Sequence, residues 1–107
     1  MTKRHRMTIL YTTPADPAAF RRYYYDNHIP IARQMKGLTG WTLSWVQPSP
    51  DSDSQYLLVA ELYAQSSDDM DRILASPEGK AASADLENFV TAGVEFLRGD
   101  EEEVEFE

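Results

Sequence analysis

The sequence predicts an α+β domain of the ferredoxin-like, split βαβ kind: an antiparallel sheet carrying its helices on one face. Three observations predict it. Four runs are rich in β-formers; a helical stretch separates the first two and another the last two; a polar loop joins the middle pair. The order is β-α-β-β-α-β. At 107 residues, with 42% apolar and 11% aromatic residues, the chain has the composition of a single globular core.

The first run, "MTILYTT" (Met7–Thr13), alternates with period two and reads as a strand, not a signal peptide. "PADP" follows as a turn, with Asp16 as N-cap and Pro17 as first helical residue. Phe20, Tyr24, His28, Ile31 and Met35 recur at steps of three or four and share one helix face. Pro30 lacks the N–H that would bond four residues back and pushes Ile29 off helical angles. A kink or short break is therefore expected near Asn27–Ile29, with Pro30 opening a final turn and Gly37 as the C-terminal stop.

"WTLSWVQ" (Trp41–Gln47) reads as the second strand, with Trp41, Leu43 and Trp45 on one face. After the loop Pro48–Ser54, "YLLVAELYA" (Tyr56–Ala64) is apolar on both faces except at Glu61, so both faces are expected to be covered. Ser66 or Ser67 caps the next helix; Ser76 and Pro77 restart it, and it is expected to run through Val90. "VEFLR" (Val94–Arg98) is the fourth strand. These elements give a domain over 7–99, an N-terminal arm over 1–6 and an acidic tail over 100–107. Large apolar residues on both sheet faces predict a homodimer formed through the face without helices.

Charge and composition exclude several function classes. Of the net charge of −8, the tail supplies six of eighteen acids, which leaves residues 1–99 almost neutral. Without a basic face, nucleic acid is not an expected partner. No run approaches the roughly 18 apolar residues of a membrane span. With no cysteine, thiolate chemistry and Cys-ligated zinc are excluded. No address being evident, a cytoplasmic location is expected.

"FRRYYYDNHIPIARQMKGLTGW" and "ILASPEGKAASADLENFV" together resemble the EthD family, named for a protein of ethyl tert-butyl ether degradation, within the dimeric α+β barrel superfamily. Tyr24, His28, Pro30, Gly37, Ser76, Pro77, Glu78, Asp85 and Phe89 carry the pattern in order; Lys36 departs from it, where many members have proline. The resemblance implies a homodimer and a cleft between sheet and helices. It also implies cofactor-free chemistry in some relatives, by oxidation, isomerisation or decarboxylation, on small cyclic or polyketide-like compounds.

His28 is the sharpest candidate. An imidazole moves protons near neutral pH, so it reads as a general acid or base; it reads equally as a core residue whose N–H satisfies carbonyls freed by Pro30. Tyr24 shares its face, and Trp41, Trp45 and Phe89 are candidates for an aromatic pocket wall around a small hydrophobic ligand. Tyr23 and Tyr25 point elsewhere, toward the margins or the dimer seam. Asp85 reads as a partner for His28, or, as the favoured reading, for a backbone N–H or Arg33. His5 falls in the arm, so no metal site or haem is expected and no cofactor is implied. The tail reads as a solvated end, although "VEFE" alternates as an added edge strand would.

The expectation is a cofactor-independent oxidoreductase, isomerase or lyase using His28. Its alternatives are a non-catalytic carrier or accessory protein with the same cleft, and an oligomerisation module whose cleft is filled by its own side chains.

Overall fold

In the computed structural model, which describes residues 3–47 and 55–106, the chain alternates as the sequence predicts. Strand β1 (Lys3–Thr12) leads to helix α1 (Pro17–Tyr23), a π-helical turn (Tyr24–His28) and a short α2 (Ile29–Ala32). Strands β2 (Gly40–Trp45) and β3 (Tyr56–Ala64) follow, then α3 (Ser67–Ala75), α4 (Pro77–Asp85), a 3₁₀ turn (Leu86–Asn88) and β4 (Val94–Glu102). The four strands form one sheet in the order β2-β3-β1-β4, and all its pairs are antiparallel. The loop Pro48–Ser54 lies outside the described residues.

The registers set which residues face the helices. Tyr11 sits opposite both Leu58 and Val94, and Met7 opposite Leu62 and Arg98. Period two then places Met7, Ile9, Tyr11, Leu58, Ala60 and Leu62 on one face, and all six are buried. Phe20, Met70 and Ala82 come down on them from α1, α3 and α4. The other face is less apolar than expected. Leu10, Leu57, Val59 and Leu97 share it with Glu61, which accepts a hydrogen bond from Thr8 and pairs with Arg6. Arg4 lies 3.7 Å over the Tyr63 ring and reaches Glu101 at 2.6 Å.

The first and last strands are longer than read. β1 begins at Lys3 instead of Met7, and β4 runs to Glu102 instead of stopping at Arg98. Arg4 stands opposite Glu101 and His5 opposite Asp100, so the basic start and acidic end are complementary neighbours in one ladder.

The irregularity expected near Asn27–Ile29 takes the form of the π turn, without a break, and Pro30 lies in the first turn of α2 as expected. Ile29 keeps helical angles (φ −57°, ψ −47°), and its N–H reaches the Tyr24 carbonyl five residues back. The widened π turn moves aside the carbonyls that the proline ring would strike, so the helix absorbs Pro30 without stopping. It ends at Ala32, ahead of Gly37, whose φ of +101° lies in the following loop. There a Cβ would also meet Ile73 Cδ1 at 3.2 Å. Ser76 ends α3 and starts α4: its hydroxyl donates to the Ile73 carbonyl and accepts from the Gly79 N–H. A Cβ on Gly79 would lie 2.2 Å from the Ile73 oxygen, so only glycine lets α4 fold back this tightly. α4 stops at Asp85, short of Val90, and the chain tightens into the 3₁₀ turn.

Candidate active site

The π turn carries Tyr24 and His28, both buried, inward on the same side, with ring centroids 5.2 Å apart. Asp85, the last residue of α4, reaches them from the other helical layer. Its Oδ2 lies 2.9 Å from His28 Nδ1. Its Oδ1 accepts from the Tyr23 hydroxyl at 2.7 Å and from Asn88 Nδ2 at 2.9 Å. The 3₁₀ turn makes the last contact possible, since it returns residue 88 over residue 85.

These contacts fix the protonation states. Burial raises the Asp85 carboxyl, but hydrogen bonds from Asn88, Tyr23 and His28 outweigh it and hold the group below its ordinary value. Burial pushes His28 below 6.5, more than the Asp85 hydrogen bond and charge lift it. At neutral pH the pair is therefore a carboxylate and a neutral imidazole. A carboxylate only accepts, so the ring proton sits on Nδ1 and the lone pair on Nε2. No described residue hydrogen-bonds to Nε2, and His28 lines a cavity.

That cavity, of about 310 Å³, lies between the sheet and the helices. Met7, Ile9, Tyr11, Tyr24, Trp41 and Met35 supply much of its largely apolar wall. Phe96, half exposed on β4, lines it as well, which leaves a way in along that strand. The size falls at the lower end of small-molecule sites, about 300–1,000 Å³. Two buried polar atoms, the Tyr11 hydroxyl and Trp41 Nε1, have no hydrogen-bond partner.

Of the residues read as site candidates, His28, Tyr24 and Trp41 meet at this cavity. Trp45 and Phe89 stand behind its wall. Trp45 shares the Trp41 face but lies four residues along β2, roughly 13 Å away, where it packs on Phe20, Tyr24 and Tyr25. Phe89 packs on the far side of His28 at 4.9 Å and stacks on Tyr23 at 5.1 Å, wedging the dyad in place. Asp85 bonds His28, and neither Arg33 nor a backbone N–H takes that place. The His28 N–H in turn goes to Asp85, not to a carbonyl near Pro30. Tyr23 and Asn88 were not read as site residues. Asn88 at three residues past Asp85 was a visible spacing; the Tyr23 contact spans 62 residues and has no local signal. His5 is also buried, beside Asp100 and Arg98. Among the described residues no helix is long and apolar enough to cross a membrane, and no three His, Cys, Asp or Glu side chains cluster as metal ligands would.

Comparison with known proteins places the chain in a family. The chain is 36% identical over 100 residues to an 11.0 kDa protein encoded between thcB and thcC in Rhodococcus erythropolis, covering 94% of this chain and 97% of that one. The crystal structure of an EthD family protein from Bacillus halodurans C-125 superposes with a TM-score of 0.86 at 26% identity, over 92% and 99% of the two chains. Lower identities show the fold alone. They include a hydroxynitrile lyase from Passiflora edulis (TM-score 0.73, 8% identity, 96% of each chain) and SnoaB, a cofactor-independent oxygenase of Streptomyces nogalater (0.57, 17%, 99% and 97%). Another is a dimeric ferredoxin-like protein from Thermobifida fusca YX (0.65, 8%, 91% and 89%). The EthD domain matches residues 12–93, more than three quarters of the sequence and every residue of the His28–Asp85 site, and the chain belongs to the EthD family.

Proposed function

We propose that the protein is a cofactor-independent enzyme that moves a proton on a small hydrophobic cyclic or polyketide-like compound, with His28 as general base. The observation that carries this reading is the division of labour between the two ring nitrogens. Asp85 holds Nδ1–H at 2.9 Å, and Nε2 is left with its lone pair at an apolar cavity. A ligand C–H or O–H beside Nε2 would lose its proton to the ring. The imidazolium so formed would be stabilised by the Asp85 carboxylate, itself anchored by Tyr23 and Asn88. An oxygenase and a lyase share the fold, which fits an oxidoreductase, isomerase or lyase equally.

The test begins with native mass spectrometry of the protein against a library of small cyclic compounds, followed by turnover of each bound compound across pH. His28→Gln keeps hydrogen-bonding capacity but takes up no proton near neutrality. Turnover should fall by roughly 10²-fold or more while folding is retained. Full turnover in a well-folded His28→Gln protein would leave a carrier using the same cavity.

The working unit is a homodimer joined through the open sheet face. Leu97, 55% exposed, lies there with Leu10, Leu57 and Val59, and the dimeric relative of this fold offers a precedent. Sedimentation should give about twice the 12.2 kDa chain mass. A clean monomer at micromolar concentration contradicts it.

A further inference from the structure

The two orphaned polar atoms of the cavity come from β1 and β2, the strands on either side of β3, and the base does not use them. We infer that Tyr11 Oη and Trp41 Nε1, with the Tyr24 hydroxyl, form an anchor for one ligand oxygen, so that the ligand is a hydrophobic ring compound bearing a carbonyl. This rests on the reading of His28 as base and deepens it.

Chemistry limits what the three groups can hold. Burial, first among the causes, pushes both Tyr11 and Tyr24 far above the usual phenol range, so both stay protonated. Indole N–H donates and never accepts. Tyr11 and Trp41 both press hydrogen-bonding groups toward the Tyr24 hydroxyl, which feels each of them, but neither Tyr11 Oη nor Trp41 Nε1 comes into full hydrogen-bond geometry. Were the three to close up, Trp41 and Tyr11 would both donate to the Tyr24 oxygen, and the Tyr24 proton would still be left over. The set has more donors than acceptors. What completes it is an acceptor, and in an otherwise apolar cavity a ketone or enol oxygen is the natural one.

Joined to His28, the anchor specifies a reaction. Nε2 takes the proton from the carbon next to the carbonyl, and the electron pair of that C–H bond moves onto the oxygen. The resulting enolate oxygen is then held by the Tyr11 O–H and Trp41 N–H where its charge develops. Return of a proton from His28 to the same carbon completes an exchange; its return elsewhere is an isomerisation.

Two probes of one bicyclic frame, 2-tetralone and tetralin, separate the anchor from the base. Wild type should bind the ketone more tightly than the hydrocarbon by about tenfold or more. Tyr11→Phe and Trp41→Phe should lose that preference without losing tetralin. In D₂O, exchange of the tetralone C1 hydrogens followed by NMR should be fast in wild type and fall to the buffer rate in His28→Gln, which keeps its ketone preference. Equal affinity for the two probes, no binding of either, or an undiminished preference in the Tyr11→Phe/Trp41→Phe double variant would overturn the anchor. Exchange that still needed His28 would then leave the base reading standing. A ketone preference without exchange above buffer would retain the anchor and remove the base. Melting gives a ligand-free check: Tyr11→Phe deletes an unpartnered buried oxygen and should leave the melting temperature unchanged or higher. A fall of several degrees would show that the hydroxyl is already bonded within the protein and would end the proposal.

Discussion

The protein has two histidines, His28 and His5, and by the usual structural measures they are twins. They are 5% and 4% exposed, and each holds its Nδ1 2.9 Å from an aspartate. They differ at the other nitrogen. His5 Nε2 accepts from Arg98 Nε at 3.0 Å, and Arg98 is itself tied to Asp71 and Ser67. His28 Nε2 has no hydrogen-bond partner among the described residues and belongs to a cavity wall. Burial and carboxylate pairing therefore do not distinguish a reactive imidazole from a structural one. The uncommitted lone pair does.

The largest expected effect breaks the comparison at the aspartates. Asp85→Asn can present an amide N–H to Nδ1 and drive the ring into the other tautomer, placing a hydrogen where the base needs a lone pair. Turnover should drop by roughly 10²-fold or more. Asp100→Asn, whose side chain is 75% exposed, should leave turnover within about twofold. Equal losses in the two variants, measured as kcat/KM on a bound compound, would erase the distinction.

Stability comes next. His28→Ala leaves a buried carboxylate without one donor and opens space beside Phe89, so chemical denaturation should report a loss of about 1–3 kcal/mol. His5→Ala leaves Arg98 with its Asp71 and Ser67 partners near the surface and should cost about 1 kcal/mol or less.

Acid sharpens the comparison further. The native His28 value lies below 6.5, so as pH falls through 6.5 the unfolded chain takes up a proton before the folded one does. Stability should therefore decline from about pH 6.5 downward and level off once the native ring is also protonated. His28→Gln should remove that component. The Asp85 contribution has its own, lower window: it is intact above the ordinary carboxyl value of 3.8 and is lost as pH falls through the depressed native value. An unfolding series whose slope between pH 6.5 and 5 is the same in wild type and His28→Gln would contradict the first assignment.

The smallest effect concerns the chain end. Val104 and Phe106 are 78% and 93% exposed, so truncation after Glu102 should change stability by less than about 1 kcal/mol. Truncation before Asp100 removes the His5 partner and the end of the β1–β4 ladder, and should cost measurably more. If the shorter truncation dissociates the dimer, the last residues form an exchanged strand.

Much of this was legible in the sequence, for identifiable reasons. Strand alternation and the Asp16, Ser66 and Ser76 caps are local signals, and the fold follows from their order. Tyr24 and His28 could be grouped because four residues bring a side chain back to the same face. Asp85 could be seen only as one of several partners, because its contact with His28 spans 57 residues and depends on how α4 seats on the helix before it. Trp45 was misread because a strand face says nothing about how far along the strand a cavity extends. The arm and the first three residues of the tail lie in the sheet because their opposite charges attract across a ladder, a pairing the local sequence does not show; the tail beyond Glu102 is exposed as expected. Pro30 misled because its rules assume an α-helix of ordinary width.

That width also sets how far apart the two inward side chains stand. An α-helix repeats every 3.6 residues, and a π turn is what one residue too many looks like when the hydrogen bonds on either side are kept. Tyr25, Asp26 and Asn27 are all exposed on the π turn; Tyr25 packs on Trp45, and Asp26 and Asn27 line neither the core nor the cavity. A variant lacking Asp26 or Asn27 would form an uninterrupted helix, with the residues on either side kept in phase. Its tyrosine and histidine would stand three residues apart, on one face still but about 60° from each other around the axis. The extra residue in the turn is thus what sets the two side chains about one full turn apart over the same hollow.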